Sequence, residues 1–341
     1  MFLYTIDGQD AEQQIGFVCI GGILVMLNRL SIIIDGQKIS LDATELPMHL
    51  QIIKDLTPIA GLKCLKKLEQ PRKLISDLTP LAELKQLSML DLAMNRIRDL
   101  TPLSNLSQLK KLVLSQNQII DLTPLSNLTQ LKVLFLGENQ CVDLSPLKDL
   151  KSLAFLDLSH NPITDISPLA GLSRIVDLRL SKIPIADLAF LENMEQLRGV
   201  YLSGCQIADL PPLASLTRLK WLELSDNCIS NLAPLAGLPR LSTLYLDHNQ
   251  ITDLSPLAGL PELFELHLEH NGVTDLTPLI GLTWLHRLYL EGNPVSDLTP
   301  LIHVPMLREV MIQDCPIQKR SLAAFRKARP DCYIEIRHKR K

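Results

Sequence analysis

The feature of this sequence that most constrains its fold is an acidic or amide residue that returns every 22 residues. Twelve units run in phase without an insertion. A strict period of this length indicates stacked supersecondary units, whereas a chain of 341 residues would otherwise suggest two or three separate domains. The recurring position holds Asp55, Asp77, Asp99, Asp121, Asp143, Asp165, Asp187, Asp209, Asn231, Asp253, Asp275 and Asp297.

One unit reads LKKLVLSQNQIIDLTPL over residues 109–125 and divides into a strand, a turn and a return segment. Leu112 and Leu114 alternate with variable residues, which is typical of a half-exposed strand. Asn117 comes four residues before the aspartate, and its amide is predicted to satisfy backbone groups of neighbouring turns. The same asparagine occurs at 95, 139, 161, 227, 249, 271 and 293, and we interpret Cys205 and Cys315 as fillers of this column.

The return segment begins with Ser-Pro or Thr-Pro in nine of the twelve units, for example Thr123-Pro124. A hydroxyl can cap a helix N-terminus, and proline presets φ at its first turn. The pair therefore predicts a short helical or 3-10 turn. One unit cannot bury its leucines alone, so we expect the units to stack and to join their strands into one parallel sheet.

The pattern LxxLxLxxNxIxDLxPL resembles the leucine-rich repeat family, in the short class shared by bacterial internalins and the phosphatase-1 regulatory subunit. The resemblance covers residues 43–318. It implies an α/β fold, a right-handed horseshoe solenoid with a concave parallel sheet and short helical or 3-10 turns on the convex side. In such proteins ligands usually meet the concave side.

The two ends are predicted to cover the terminal repeats. Residues 1–42 form an N-terminal cap region, with a β-hairpin signal at Asp35-Gly36, and residues 43–318 hold the repeats. Residues 319–341 form a C-terminal cap and a basic tail. In this cap Ser321 is expected to start an amphipathic helix with Leu322 and Phe325 on one face.

Cysteine usage and the N-terminal region bear on location. Seven scattered cysteines without a CxxC pair indicate neither a disulfide framework nor a zinc framework, and favour a reduced compartment. The apolar run at 15–27 has 13 residues, fewer than the ~20 of a membrane-spanning helix, and acidic residues precede it. We therefore expect a cytoplasmic protein without a membrane span, with secretion or cell-surface display as the alternative.

Information on function lies in the variable strand positions, which form columns 22 residues apart on the predicted concave face. Only 14 of 341 residues are aromatic, yet two columns contain Phe135, Phe155, Tyr201, Trp221, Tyr245 and Tyr289. Exposed tyrosine and tryptophan are common anchors of protein interfaces. The alternative is that cross-strand aromatic pairs only stiffen the sheet.

Charge divides the predicted concave face. Over the last six units its columns contain one base, Arg287, and the acids Glu223, Asp226, Asp247, Glu265, Glu269, Glu291, Glu309 and Asp314. This predicts a partner protein with a basic and apolar surface. The predicted partner-binding residues are Phe135, Phe155, Tyr201, Trp221, Glu223, Tyr245, Asp247, His267, Glu269, Tyr289 and Glu291.

Catalysis is not predicted, because these residues form a graded stripe and no nucleophile is placed with a base and an orienting group. His248 and His270 lie in one column on adjacent repeats and suggest a metal site, but solvated histidines on an acidic face are commoner, so no metal site is predicted. No cofactor is expected. The net charge of −3 and a solvated basic tail at 337–341 predict no nucleic-acid partner. The leading hypothesis is a monomeric, non-catalytic interaction scaffold, and the alternative is an exported internalin-like surface or effector protein.

Overall fold

The computed structural model describes residues 15–20, 23–28, 31–34, 37–46, 55–185 and 187–336. The chain divides into two compact units, residues 1–153 and 154–341. The boundary falls inside the repeat array, so both units contain 22-residue repeats. The predicted boundaries at residues 42 and 318 remain predictions.

The first unit begins with two antiparallel strand pairs. β1 (Ile15–Ile20) pairs with β2 (Ile23–Asn28), and β3 (Ser31–Ile34) pairs with β4 (Gln37–Ser40). The predicted turn residues Asp35 and Gly36 lie outside the described residues. Four parallel strands follow in spatial order, β5 (Lys67–Glu69), β6 (Met89–Asp91), β7 (Lys111–Val113) and β8 (Val133–Phe135).

The second unit contains nine parallel strands, also in sequence order, and an α-helix, α1 (Lys319–Ala328), between the last two. The strands are β9 (Phe155–Asp157), β10 (Asp177–Arg179), β11 (Gly199–Tyr201), β12 (Trp221–Glu223), β13 (Thr243–Tyr245), β14 (Glu265–His267), β15 (Arg287–Tyr289), β16 (Glu309–Met311) and β17 (Tyr333–Glu335). Each pairs in register with a strand 22 residues away, except the last pair.

Short 3-10 turns form the return side of the repeats and confirm the predicted solenoid in each unit. Their leucines and the central residue of each strand form the core, and Leu112, Leu134 and Leu222 are fully buried. Burying one such side chain contributes about 2 kcal/mol. The turns are Thr57–Gly61, Thr79–Leu81, Thr101–Leu103, Thr123–Leu125, Ser145–Leu147, Ser167–Leu169, Ala189–Leu191, Pro211–Ser215, Ala233–Leu235, Ser255–Leu257, Thr277–Gly281 and Thr299–His303.

The predicted asparagine column is confirmed. The Asn117 amide donates to the carbonyls of Leu92 and Leu114 at 3.0 and 2.9 Å, and its oxygen accepts the Ile97 N–H at 3.0 Å. Cys205 replaces one asparagine, and its thiol donates to the Leu180 carbonyl at 3.2 Å. One side chain thus satisfies backbone groups of two repeats at the point where the strand ladder stops.

The predicted capping by serine and threonine hydroxyls is wrong, because the aspartate performs it. The Thr123 N–H donates to Asp121 Oδ1 at 2.8 Å, and the turn has no hydroxyl cap. Where a hydroxyl takes part, as in Thr57, it donates to the carboxylate, here Asp55, at 2.7 Å. A carboxylate that accepts the N–H two residues later closes a local turn. That N–H is then already bonded, so the hydroxyl does not cap it.

Helix α1 also differs from the expectation at its start. It begins at Lys319, and Ser321 lies buried inside its first turn. The Ser321 hydroxyl accepts the Leu298 N–H at 2.6 Å and donates to Asp297 at 2.8 Å, so it joins the helix to the last repeat. Phe325 is fully buried as expected. Among the described residues no helix is long and apolar enough to cross a membrane.

Candidate partner-binding surface

Within each unit, the first and third residues of the three-residue strands form one surface, which we call the outer sheet face of that unit. Between them the central residue points into the core, as Leu222 does between Trp221 and Glu223. Because the strands pair in register, residues 22 apart lie on adjacent strands, which are about 4.8 Å apart. The eleven predicted partner-binding residues are all half-buried or exposed, with Phe135 in the first unit and the others in the second.

Five of the ring-bearing residues form a continuous stack, which we call the aromatic ladder: Tyr201, Trp221, Tyr245, His267 and Tyr289. Successive ring centroids are 6.1, 5.3, 4.0 and 4.0 Å apart. Such packing fixes each ring through its neighbours. The ladder is therefore a preformed surface before any partner binds.

Trp221 joins the ladder from the neighbouring column. Its register partners are Gly199 and Thr243, and both are buried although they occupy outward positions. A Cβ atom at Gly199 would lie 3.3 Å from Cε2 of Tyr201 and 2.8 Å from Oδ2 of Asp177. The absent side chain at 199 thus leaves room for the Tyr201 ring beside the indole.

His267 is held on all sides. Its Nε2 lies 3.1 Å from Glu265 and its Nδ1 lies 3.2 Å from Glu269, while Tyr245 and Tyr289 stack on its two faces. Burial acts to lower the pKa of His267, but the bonds to Glu269 and Glu265 outweigh it, and the pKa is raised. Both carboxylates accept a hydrogen bond only when the imidazole carries two protons.

The ladder has a cationic start. The Arg179 guanidinium lies 4.4 Å from the Tyr201 ring centroid and pairs with Asp177 at 3.0 Å. Phe135 and Phe155 lie outside the ladder. Phe155 is 41% exposed, whereas the other predicted aromatic anchors are half-buried. The predicted aromatic set thus divides into the stacked rings and two phenylalanines.

Three buried polar atoms on this surface have no hydrogen-bond partner within the described chain. They are Nε1 of Trp221, Oε2 of Glu269 and Oε2 of Glu291. Burial, and then the charge of Glu269, raise the pKa of Glu291. Buried polar groups are usually hydrogen-bonded, and here the two carboxylates can each accept, and the indole can donate, a further hydrogen bond.

The remaining predicted acids are engaged locally. Glu223 accepts the Ser203 hydroxyl at 2.6 Å, and Asp247 accepts that of Ser225. These bonds hold the carboxylates beside the ladder. The sequence columns placed these acids on the surface but contained no signal for their serine partners.

A second aromatic contact, which the strand columns of the sequence do not include, lies just before the strands. Phe264 and His286 stack with centroids 4.3 Å apart. They line a cleft of about 460 Å³ with Arg287, Arg308, Glu309 and Tyr333. The column preceding the strands contains both rings, and reading that column would have indicated them.

His248 and His270, which share one column, form a stacked pair. The His248 and His270 rings lie 4.4 Å apart, and both residues have left-handed backbone, with φ of 54°. Over the described ranges, no group of three or more His, Cys, Asp or Glu side chains is arranged to hold a metal ion.

Comparison with known proteins places these features among repeat proteins. A family model described as leucine-rich repeats in two copies matches residues 107–151, 217–259 and 261–303, and a leucine-rich repeat model matches residues 152–172. The comparison with curated proteins gave no match.

Solved structures share the fold. An internalin of Listeria monocytogenes superposes with a TM-score of 0.78 at 27% identity, over 89% of this chain and 86% of that one. A leucine-rich repeat protein of Leptospira interrogans gives 0.68 at 23% identity, over 86% and 96%. A plant peptide hormone receptor, solved in complex with the hormone RGF2, gives 0.62 at 18% identity, over 76% and 49%.

Proposed function

From the premise that this chain is a leucine-rich repeat protein resembling internalins, we propose that it is a non-catalytic scaffold that binds a partner protein through the outer sheet face of its second unit. The fold is typical of interaction scaffolds. The observation that carries the proposal is the aromatic ladder from Tyr201 to Tyr289.

The ladder has the properties of a binding surface in advance of binding. Aromatic rings offer large contact areas with few rotatable bonds, and rings that are already packed lose little further entropy on association. Stiffening of the sheet alone would not require the half-exposed indole of Trp221 to be left without an acceptor for its Nε1–H. An interface that supplies a carbonyl there would complete it.

The partner chemistry follows from the acids beside the ladder. Glu269 and Glu291 each carry a buried oxygen without a donor, and Glu223 and Asp247 add further negative charge. A lysine or arginine from a partner would satisfy the two oxygens and relieve their repulsion. We therefore propose a protein partner that combines apolar contacts on the rings with basic side chains on these acids. We also propose that the scaffold is monomeric and cytoplasmic.

The ladder can be tested by substitution at its centre. The probe is a partner captured by the wild-type protein and then purified. W221A and Y245A are each expected to raise its dissociation constant by about 30-fold, the effect of losing a typical interface anchor. The matched control is W284A, because Trp284 is 58% exposed and lies outside the ladder and outside the strands that form the outer sheet face. Calorimetric titration measures the affinities, and circular dichroism checks folding.

Equal affinity of the wild type, W221A and Y245A would reject the ladder as the binding surface. Equal losses in the ladder variants and in W284A would reject it as well, because the effect would then not depend on position.

A second candidate is an exported, internalin-like protein that binds a host or envelope ligand, and the similarity to a Listeria internalin favours it. Fractionation of cells that express the full chain, with sequencing of its mature N-terminus, separates the two candidates. Recovery from the cytoplasm with the first residues intact supports the scaffold, whereas a processed form in the envelope or medium supports export.

A further inference from the structure

A row of cations lies on the second unit at the edge where the strands begin. The four turns at 173–176, 195–198, 217–220 and 239–242 precede β10 to β13 and contain one carboxylate, that of Glu195. They also contain five bases, all exposed, which we call the basic edge: Arg174, Arg198, Arg218, Lys220 and Arg240.

These cations have no ionic partner in the part of the chain that the structure describes. Arg218 bonds only to the neutral amide of Gln196, at 2.5 Å, and the other four form no ion pair. Like charges on neighbouring turns repel one another. An unpaired row of this kind is therefore a surface to which an anionic partner would be attracted.

The basic edge is continuous with the outer sheet face. The Lys220 N–H donates to the Arg198 carbonyl at 2.9 Å, so these residues extend the parallel ladder by one position before the strands. Further along the same column, Phe264 and His286 line one cleft together with the strand residues Arg287 and Glu309. A partner that covers the strands therefore also reaches this column.

The opposite edge, where the strands end, has the opposite charge. We call it the acidic edge. Lys182 pairs with one of its acids, Asp226, at 3.1 Å, while Glu269 and Glu291 retain an oxygen without a donor. Its members are Asp226, Asp247, Glu269, Glu291 and Asp314.

The two edges are also displaced along the sheet. The basic edge accompanies β10 to β13, whereas the acidic edge accompanies β12 to β16. The aromatic ladder lies between them, from β11 to β15. The charge of the surface therefore changes from positive to negative both along the strand direction and from one strand to the next.

We infer that the partner is a protein segment that runs from the basic edge, where the strands begin, to the acidic edge, where they end. It places acidic side chains over the basic edge, basic side chains over the acidic edge and apolar groups on the ladder. This inference rests on the proposed function and adds an acidic flank to the partner. The charge pattern fixes the direction of the segment, because the reversed orientation would place like charges together.

A nucleic acid fits this surface poorly. Single strands bind by stacking bases on open aromatic faces, but both faces of Tyr245 and His267 are covered by other rings. The acidic edge would also repel phosphates. Protein is therefore the class that satisfies both edges at once.

Two labelled peptide probes test the inference at low ionic strength, poly-glutamate for the basic edge and poly-lysine for the acidic edge. The basic-edge variant combines R174E, R198E, R218E and R240E, and it should weaken poly-glutamate binding by about tenfold or more while poly-lysine binding persists. The acidic-edge variant combines D247N, E269Q, E291Q and D314N and should show the reverse. Fluorescence anisotropy measures both affinities on the full-length chain.

The matched control places the same charge change on helix α1, with K319E, R320E, R326E and K327E, all at exposed positions. It should retain most poly-glutamate binding. Equal losses in the control and the basic-edge variant would overturn the inference, as would tight wild-type binding of oligothymidylate that the same four substitutions abolish. If the wild-type protein binds poly-lysine but not poly-glutamate, the acidic flank of the partner is contradicted. If it does not bind poly-lysine, the proposed basic partner is contradicted. Circular dichroism confirms that each variant is folded.

Discussion

At the scale of single residues, the most informative side chains are those that serve two repeats at once. Asn117 makes four hydrogen bonds to backbone groups of its own and the preceding repeat, and it is 8% exposed. Cys205 shows that the column tolerates a thiol, and burial raises the pKa of Cys205 to about 11, so the thiol stays protonated and can donate.

We expect N117A to lower the free energy of unfolding by about 3 kcal/mol, because it leaves buried backbone groups without partners. The control is I120A, since Ile120 is 59% exposed and should change stability by less than about 0.5 kcal/mol. Urea denaturation followed by circular dichroism measures both. An N117A protein as stable as the control would show that the amide column is not needed.

His267 gives the ladder a dependence on pH. Its pKa is raised above the ordinary 6.5, because its bonds to Glu269 and Glu265 outweigh the effect of burial. A histidine whose pKa is higher in the folded state stabilises that state fully below pH 6.5, and the contribution is lost as the pH rises through the folded pKa.

The stability difference between the wild type and H267Q should therefore be greatest below pH 6.5 and shrink at higher pH. H303Q, which alters an exposed histidine, should show no such trend. Urea denaturation across the pH range measures the differences, and an NMR titration gives the pKa of His267 directly. A folded pKa at or below 6.5 would contradict the arrangement.

At the scale of elements, the column of aspartates and Asn231 explains how eleven of the twelve return segments begin, the exception being the one that starts at Pro211, which has no N–H to donate. Asp121 accepts the Thr123 N–H, and Asn231, in the one unit without the acid, accepts the Ala233 N–H at 2.9 Å. Hydrogen bonds from Thr123 lower the pKa of Asp121. This contribution to stability is present above pH 3.8 and is lost as the pH falls through the folded pKa.

We expect D121A to destabilise the protein by about 1 kcal/mol, the usual effect of losing a cap, and D121N to cost less. Asn231 provides the natural precedent for the amide. Thermal denaturation near neutral pH compares the two variants. Equal losses in D121A and D121N would mean that the charge, not the hydrogen-bond acceptor, stabilises the turn.

At the scale of the whole molecule, each repeat depends on its neighbours for burial and for hydrogen bonds. The Lys132 N–H donates to the Lys110 carbonyl, 22 residues away, and the same spacing recurs in both units. Stability in such an array is approximately a sum over repeats and the interfaces between them. The period therefore matters more than the number of repeats.

Removal of one complete repeat, residues 119–140, should leave a folded protein, because the remaining strands stay in register. The denaturant dependence of its unfolding should fall by roughly one fifteenth, because 22 of the 341 residues are removed and the dependence scales with the surface that unfolding exposes. Removal of residues 119–129 is the control, since it shifts the period by half a repeat and should unfold the first unit. Urea denaturation and circular dichroism distinguish the two, and equal behaviour would contradict the dependence on register.

The stacked repeats, the buried leucines and the asparagine column could all be predicted from the order of residues. They follow from burial and backbone hydrogen bonding, which impose the same requirement every 22 residues. The order of residues also placed Trp221, Tyr245 and His267 on one surface, since strand periodicity fixes which side chains share a face.

How those side chains contact one another could not be predicted from the order of residues and required the packed repeats. The lean of Trp221 between Tyr201 and Tyr245, and the pairing of His267 with Glu265 and Glu269, depend on rotamers and on which neighbours leave space. The same holds for the aspartate cap, where the Asp55 carboxylate accepts both the N–H and the hydroxyl of Thr57. Such choices are settled by contacts between repeats, and one repeat read along the chain does not contain them.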